Sequence, residues 1–463
     1  MNGNDTICAL ATAPGGAIGI IRVSGSKAFD AVSAISTLRC DQCLPNTIHF
    51  THIMEGTETV DEVLVSIFRA PHSYTGEDSV EISCHGSRYI LNKVLALLVE
   101  SGCRMANPGE YTMRAYLNGK LDLSQAEAVA DLIASTNKAS HDLAMSQLRG
   151  GISSELGRLR EQLLKLTSLL ELELDFSDHE DLEFADRNEL LALAQTTEAH
   201  ITRLAESFET GQALKQGIPV AIVGKTNVGK STLLNQLIDD DRAIVSDIHG
   251  TTRDTIEETM DINGVQFRFI DTAGIRETND KVEQIGIERS IKAIKQARIV
   301  IWLLDQKPTW NEMDEMRDLS KGKRCIYVHN KIDLIDIEKF NPYILPLSVI
   351  SAKKGEGIDN LKKRIYEEAQ LAGLTTNANE VIVSNARHYD ALTRAHSHLL
   401  RVIEGMGAKM VNGQWSIINE SISGDLLAED LRLTLDTLAE ITGGQITPNE
   451  VLGNIFKHFC VGK

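Results

Sequence analysis

The sequence predicts a multidomain α/β protein in which a doubly wound α/β domain is inserted into an all-α helical domain that follows an N-terminal α+β domain. The length of 463 residues suits roughly three domains. The pattern changes from β-rich segments to helical periodicity, then to alternating strands and helices, and back to helical periodicity. The predicted domains are 1–118 (α+β), 119–216 (helical, first part), 217–375 (doubly wound) and 376–463 (helical, second part).

The α+β prediction for residues 1–118 rests on β-rich segments followed by a helical stretch. Strands are predicted at Ile18–Val23, Glu62–Phe68 and Ser79–Cys84, and a helix after Ser87. These segments combine β-branched residues with alternating polarity, which is typical of half-buried strands.

The helical domain is predicted from capping signals and from apolar periodicity. Ser124 and Glu127 fit a capping box, and leucines then recur at helical spacing. The recurring leucines are Leu156, Leu159, Leu163, Leu166 and Leu170. Further helices are predicted over 188–214, 388–403, 426–438 and from Thr447. Neither helical half looks self-sufficient, so we interpret them as one domain interrupted by an insertion.

The inserted domain is predicted from five apolar strands that alternate with helices, as a doubly wound sheet requires. The strand sequences are PVAIVG, VQFRFIDTAG, RIVIWLLD, CIYVHNKID and ILPLSV.

Composition and charge limit the possible functions. The formal charge is −18, and residues 171–186 hold eight acids and no Lys or Arg. Binding of nucleic acid by bulk electrostatics is therefore excluded, and such contact needs a local basic patch or a partner.

Seven cysteines without a secretory pattern argue against a disulfide framework, and a single C-x-x-C at Cys40 and Cys43 favours a structural role over zinc. Without a membrane-length apolar run, we expect a cytoplasmic protein that does not contact a membrane.

Residues 224–231 read GKTNVGKS, which fits the phosphate-loop pattern G-x-x-x-x-G-K-[ST] directly after a predicted strand. Lys230 is expected to reach the β- and γ-phosphates, and Ser231 to offer its hydroxyl to Mg²⁺. A glycine-rich turn that matches by chance is the alternative, which the flanking strand and helix disfavour. The predicted contacts from this loop are Asn227, Val228, Gly229, Lys230, Ser231 and Thr232.

Three later motifs identify the nucleotide as GTP. A D-x-x-G motif ends one strand and places a carboxylate near Mg²⁺ and an N–H at the γ-phosphate. A motif Asn330-Lys331-Ile332-Asp333 ends another, and an aspartate there accepts guanine N1–H and N2–H, a pairing that adenine cannot supply. The remaining predicted contacts are Asp271, Thr272, Ala273 and Gly274 of the first motif and Ser351, Ala352 and Lys353 of a base-contacting loop.

A switch that senses the γ-phosphate is predicted between the first two motifs. Thr252 or Thr251 would supply a second hydroxyl to Mg²⁺. Ile275 stands where Ras-type GTPases carry the water-orienting glutamine, so another polar group must act. Glu283 can reach the attacking water if the switch folds over the nucleotide. The alternative is that Glu283 is a solvated residue at the start of the next helix. The switch residues are Ser246, Asp247, Ile248, His249, Gly250, Thr251 and Thr252.

The blocks GKTNVGKS, DIHGTTRD, DTAGIRET, VEQIGIERS and the terminal FCVGK resemble the tRNA modification GTPases of the MnmE (TrmE) family, as do the N-terminal PHSYTGED and NPGEYTMRAYLNGKLDLSQAEA. The resemblance spans the whole chain. It implies a homodimer that forms a heterotetramer with MnmG, an FAD enzyme. Together they would add an aminomethyl or carboxymethylaminomethyl group to C5 of the wobble uridine, position 34, of certain tRNAs.

The same resemblance implies a tetrahydrofolate site in the N-terminal domain, which is also the expected dimerisation domain. There 5,10-methylenetetrahydrofolate, with 5-formyltetrahydrofolate as an analogue, would supply the one-carbon unit, and glycine or ammonium the nitrogen. Arg22, Glu81, Lys120 and Lys463 would line the site. Cations suit the glutamate carboxylate of folate, and a carboxylate suits its pterin amide and amine groups.

The resemblance further implies a GTPase that depends on K⁺ and on pairing of two nucleotide domains. A bound K⁺ can replace an arginine finger by neutralising charge between the β- and γ-phosphates. Its ligands would be the Asn227 side chain and the backbone oxygens of Ser246, Ile248 and Thr251. Glu283 matches the water-positioning glutamate of the family.

Cys460 keeps two interpretations, a covalent or redox role near the uridine or folate, or a small apolar residue on the last helix. Prenylation is excluded because Gly462 is not aliphatic and Lys463 is not a normal terminal residue. Two other functional classes stay open. One is a regulatory GTPase of ribosome assembly, although such proteins carry a basic RNA-binding domain. The other is a folate-dependent one-carbon enzyme in which GTP only regulates.

Overall fold

The computed structural model describes residues 5–13, 15–175, 187–242, 258–270, 283–335, 347–374, 380–411, 414–417 and 424–444, with Phe456 and Gly462. The chain divides into two compact units. Unit 1 comprises Met1–Ala134, Met145–Leu191 and Arg401–Lys463, and unit 2 comprises Ser135–Ala144 and Ala192–Leu400. The predicted multidomain α/β fold is confirmed, and the four domain boundaries stay a prediction.

Unit 1 contains a six-stranded sheet in the order β3-β4-β5-β2-β1-β6. The strands are β1 (Ile7–Leu10), β2 (Ile18–Ser24), β3 (Thr47–Glu55), β4 (Glu58–Phe68), β5 (Ser79–His85) and β6 (Arg104–Met105). Neighbouring strands are antiparallel except β1 and β6, which are parallel. The three predicted strands are confirmed, and β1, β3 and β6 were not predicted.

One face of this sheet carries the core of the N-terminal region. Helices α1 (Ala28–Ile35) and α2 (Arg88–Glu100) bury apolar residues against alternate positions of β4, namely Val63, Val65 and Ile67. The prediction of a helix after Ser87 is therefore confirmed by α2. A third helix, α3 (Glu110–Leu117), follows β6.

Four helices follow, α4 (Leu123–Ala134), α5 (Lys138–Leu148), α6 (Gly151–Asp175) and α7 (Arg187–Gln216). The predicted leucines of α6 are all buried, so its periodicity is confirmed: Leu156, Leu159, Leu163, Leu166 and Leu170.

The predicted capping box at Ser124 and Glu127 is wrong by two residues. Asp122 Oδ1 accepts from the Gln125 N–H at 2.9 Å, and Gln125 Oε1 accepts from the Asp122 N–H at 2.9 Å. The reciprocal bonds of a capping box thus form two residues earlier than predicted, and α4 begins at Leu123. The Ser124 hydroxyl donates to Asp122 instead, at 2.7 Å.

Unit 2 contains a second six-stranded sheet in the order β12-β11-β10-β7-β9-β8. The strands are β7 (Ile218–Val223), β8 (Glu258–Ile262), β9 (Val265–Phe269), β10 (Ile299–Leu304), β11 (Arg324–His329) and β12 (Leu347–Val349). All neighbours are parallel except β8 and β9. Both faces of the sheet are buried, which explains the continuous apolar runs. The five predicted strands are confirmed, and β8 is an unpredicted antiparallel edge strand.

The helices that accompany this sheet are α8 (Lys230–Arg242), α9 (Glu283–Gln296), α10 (Trp310–Leu319) and α11 (Ile358–Leu371). After them come α12 (Ala386–Gly405), a hairpin of β13 (Ala408–Val411) and β14 (Gln414–Ile417), and α13 (Gly424–Thr442). Within unit 1, α13 packs against α6. The predicted helices over 388–403 and 426–438 are confirmed, and the one expected from Thr447 begins outside the described residues.

Candidate functional site

The predicted phosphate loop connects β7 to α8 at the carboxyl end of the parallel strands. Gly224 has φ +155°, and a Cβ there would lie 2.3 Å from Leu303 O. Gly229 has φ +100°, and a Cβ there would lie 2.4 Å from Asn330 Nδ2. Only glycine fits both positions. Since α8 begins at Lys230, the unpaired N–H groups of its first turn lie at this loop, where an anion binds most readily.

Lys230 folds its ammonium group against the loop. Its Nζ donates to Gly224 O at 2.6 Å and to Lys225 O at 2.9 Å. Burial lowers the pKa of Lys230 from its ordinary value. Asn227 is exposed at the tip of the loop with φ +62°, a left-handed conformation that asparagine tolerates better than most residues. The loop therefore combines a cation at its centre with an exposed amide at its tip.

Asn330 joins three of the predicted nucleotide motifs. It is 3% exposed. Its Nδ2 donates to Val228 O of the phosphate loop at 2.8 Å, and its Oδ1 accepts from Ala352 N at 2.9 Å. The structure thus gives Asn330 a structural role, in which it holds the phosphate loop beside the base-contacting loop.

Asp333 is positioned by the base-contacting loop. Its Oδ1 accepts from the hydroxyl of Ser351, which is fully buried, at 2.7 Å. This hydrogen bond is the largest of the causes that lower the pKa of Asp333, with exposed Lys353 adding a smaller favourable charge. Lys331, in a left-handed conformation, donates to Asp305 at 2.7 Å. An ionised, oriented carboxylate is what recognition of the two guanine N–H groups requires.

Sequence reasoning missed one contact of the phosphate loop. Lys225 Nζ lies 2.6 Å from Glu312 Oε1. Glu312 also forms the capping box of α10 with Thr309, and its hydrogen bond to Lys225 is the main cause that lowers its pKa to about 2. The T-x-x-E pattern at 309–312 predicts the cap, but no local pattern indicates the lysine.

Other predicted nucleotide residues lie outside the described residues. Glu283 is the first residue of α9, and its side chain is also outside them. The predicted residues concerned are Ser246, Asp247, Ile248, His249, Gly250, Thr251, Thr252, Asp271, Thr272, Ala273 and Gly274.

A second polar site lies on the sheet of unit 1. Arg22 of β2 and Glu81 of β5 are cross-strand neighbours, with Nε and Nη2 each 2.8 Å from Glu81 Oε1. Arg22 Nη1 also donates to Gly462 O at 3.2 Å, and its guanidinium carbon lies 5.5 Å from the ring centroids of Tyr74 and Tyr111. The pair is only partly buried, so a polar ligand can reach it.

Lys120 and Lys463 were also expected around this pair. Lys120 Nζ donates to Pro71 O at 3.1 Å, so it has neighbours different from those of Arg22. Cys460 and Lys463 lie outside the described residues. Gly462, which lies between them in sequence, packs so closely on β1 that a Cβ would lie 2.3 Å from Leu10 O.

A glycine-restrained phosphate loop that Asn330 joins to the loop orienting a guanine-type aspartate, on a doubly wound sheet, defines a P-loop GTPase that carries additional domains. Residues 123–460 match the family model of the MnmE helical domain, and residues 6–120 match that of the GTP-binding protein TrmE N-terminus. No described helix has the length and apolar character needed to cross a membrane.

Curated relatives agree with these matches. Proteins called tRNA modification GTPase MnmE are 52% identical in Bacteroides fragilis, over 99% of both chains, and 50% identical in Phocaeicola vulgatus, over 100% of both. The protein of that name in Bacteroides thetaiotaomicron is 51% identical over 99% of both chains. The chain therefore belongs to the MnmE family of tRNA modification GTPases.

Proposed function

We propose that this protein hydrolyses GTP and, with the FAD enzyme MnmG, adds an aminomethyl or carboxymethylaminomethyl group to C5 of the wobble uridine of certain tRNAs in the cytoplasm. The name shared by its relatives supports action on tRNA. The observation that carries the proposal is the hydrogen bond from Arg22 to Gly462 O, at 3.2 Å. It joins the C-terminal C-V-G-K motif to the polar pair where a folate is proposed to bind.

GTP is the proposed substrate of the nucleotide site. The N–H groups of residues 227–232 and the ammonium of Lys230 bind its phosphates, and Asp333 binds guanine while Ser351 orients the carboxylate. Ser231 and Thr252 would hold Mg²⁺, which when bound neutralises phosphate charge. Glu283 is proposed to orient the attacking water.

The exposed tip of the phosphate loop supports the proposed K⁺ dependence. Asn227 presents a side-chain carbonyl there, and backbone oxygens of Ser246, Ile248 and Thr251 are proposed to complete the set of ligands. A monovalent cation at this position would stabilise the charge that develops during hydrolysis.

A homodimer is supported by the sheet face of unit 1 opposite its helices. Phe50 and Leu64 are cross-strand neighbours there and are 63% and 48% exposed, and Ile48 is exposed on the same face. An apolar surface on an open sheet face is typical of an interface. The proposed occupant is a second copy of the chain.

Tetrahydrofolate is proposed to bind at the Arg22–Glu81 pair. The residues fit this ligand, since the partly exposed Glu81 carboxylate, held by Arg22, can accept the pterin N–H groups, and lysines can bind the glutamate carboxylate at the other end. Lys120 and Lys463 are the proposed additional cations. The bound cofactor would supply the one-carbon unit. Cys460 precedes Gly462 by two residues, and both of its proposed roles, covalent or redox chemistry and apolar packing, can be tested at this site.

The test is mass analysis of wobble uridines in tRNA from cells that lack this protein. We expect the C5 substituents to be missing and to return when the gene is restored. Unchanged C5 substituents in the deletion strain would reject the proposed function.

A further inference from the structure

Asp61 and His85 form a hydrogen-bonded dyad on the sheet of unit 1 that the sequence analysis did not identify. Asp61 Oδ1 lies 2.7 Å from His85 Nδ1, and Asp61 Oδ2 accepts from the His85 N–H at 2.9 Å. The Asp61 side chain is 6% exposed, whereas that of His85 is 71% exposed. A buried carboxylate therefore fixes an imidazole that solvent and ligands can reach.

The hydrogen bonds also fix which ring nitrogen carries the proton. An ionised carboxylate only accepts, so Nδ1 must be the donor. In the neutral ring Nε2 is then left with a free lone pair. This is the arrangement in which a carboxylate orients a histidine that takes up a proton and stabilises the imidazolium that forms.

The dyad shares its strands with the Arg22–Glu81 pair. The register of β2 and β5 pairs Arg22 with Glu81 and Ile18 with His85. Glu81 and His85 are an even number of residues apart, so they start from the same face of the sheet, about 13 Å apart along the strand. A ligand of that length can contact both.

The backbone beside His85 is closely packed. A Cβ on Gly86 would lie 1.8 Å from Gly16 O, and Gly86 N donates to Ala17 O at 2.9 Å. Gly16 and Ala17, at the end of the connection between β1 and β2, therefore pack against the backbone that follows His85. The position of His85 is set by backbone contacts as well as by Asp61.

We propose that His85 Nε2, oriented by Asp61, accepts a proton and later returns it during one-carbon chemistry at the Arg22–Glu81 pair. This inference rests on the proposed function, because the ligand that exchanges the proton is the tetrahydrofolate bound there. Taking up the proton gives an imidazolium that Asp61 stabilises without being protonated. Returning it restores the neutral ring, so no net proton is consumed.

The first test compares His85→Gln with the control His141→Gln in the full-length protein, assayed with its FAD partner and tRNA. His141 of α5 also lies beside a carboxylate, with Nδ1 3.3 Å from Asp142 Oδ1, but both side chains are exposed. We expect His85→Gln to lower the rate of C5 modification by about 10²–10⁴, the usual contribution of proton transfer, and His141→Gln to leave it unchanged. The dissociation constant for 5-formyltetrahydrofolate and the GTPase rate should stay at wild-type values in both variants.

The proposal would be overturned if His85→Gln kept a modification rate within about twofold of wild type, since loss of a proton-transfer group lowers the rate far more than that. Loss of 5-formyltetrahydrofolate binding in that variant would also overturn it, because it would indicate a binding role. Failure of the wild type itself to bind the folate would refute the proposed folate site and, with it, this inference.

The second test begins with a measurement of the His85 tautomer, which needs neither folate nor activity. In Asp61→Asn the amide oxygen must face the His85 N–H, so its NH₂ group faces Nδ1 and forces the proton onto Nε2. ¹⁵N NMR of histidine-labelled protein should show an Nδ1–H ring in the wild type and an Nε2–H ring in Asp61→Asn. An Nε2–H ring in the wild type, or an unchanged modification rate in an Asp61→Asn variant with the inverted tautomer, would overturn the proposal.

Discussion

Replacing Asn330 by alanine should weaken GTP binding although this side chain contacts backbone in the structure. The substitution leaves two buried groups, Val228 O and Ala352 N, without the bonds of 2.8 and 2.9 Å that they now make. Each unpaired buried group costs about 1–3 kcal/mol, so the pair costs at least about 2 kcal/mol. The free protein relieves this cost by moving the two loops apart, and GTP binding must then bring them back.

A cost of about 2 kcal/mol corresponds to roughly a 30-fold rise in the dissociation constant, since 1.4 kcal/mol is tenfold. The assay is equilibrium titration with a fluorescent GTP analogue, together with its dissociation rate. Asn330→Asp is the matched variant. It keeps an acceptor for Ala352 N but sets a carboxylate against the Val228 carbonyl, so its loss of affinity should be at least as large. Wild-type affinity in Asn330→Asp would refute the assigned link to the phosphate loop.

Three further substitutions test other parts of the nucleotide site. Exchanging KCl for NaCl should slow GTP hydrolysis by a factor of about 10²–10³, and Asn227→Ala should remove the difference in rate between the two salts. Equal wild-type rates in both salts would reject the K⁺ site. Ser351→Ala should raise the pKa of Asp333 towards its ordinary value. Because only the ionised carboxylate binds guanine, the affinity for GTP should fall at a higher pH in the variant than in the wild type when the solution is acidified. Coincident pH profiles of the dissociation constant would contradict this. Gly229→Ala should abolish GTP binding while the fold seen by circular dichroism persists, because its Cβ would lie 2.4 Å from Asn330 Nδ2; normal binding would show that the loop can shift.

Much of the doubly wound sheet was predictable because its strands are buried on both faces and therefore appear as continuous apolar runs. The edge strand β8 lacks such a run. It is joined to β9 by Asn263-Gly264, both with positive φ, and this Asn-Gly pair is a strong hairpin signal that the prediction did not use. The capping box was misplaced since D-x-x-Q and S-x-x-E overlap there, and only the hydrogen bonds decide between them.

The sites were predictable as motifs but not as contacts. Motif order identified Asn330 and Asp333, yet Asn330 bonds to Val228, 102 residues away, and no local pattern reveals such a partner. The same limit applies to Asp61 and His85, whose contact follows from strand register rather than from spacing in the sequence. Long-range pairing is set by how strands align, which apolar periodicity does not specify.

Reconstitution from purified components tests the central claim most directly. The wild-type protein, its FAD partner, tRNA, GTP and 5,10-methylenetetrahydrofolate are combined with a nitrogen donor, and the wobble uridine is analysed by mass spectrometry. We predict an aminomethyl or carboxymethylaminomethyl group at C5 that is absent when GTP is omitted or when Arg22 is replaced by Met. An unmodified uridine in the complete mixture, or full modification without GTP, would contradict the account.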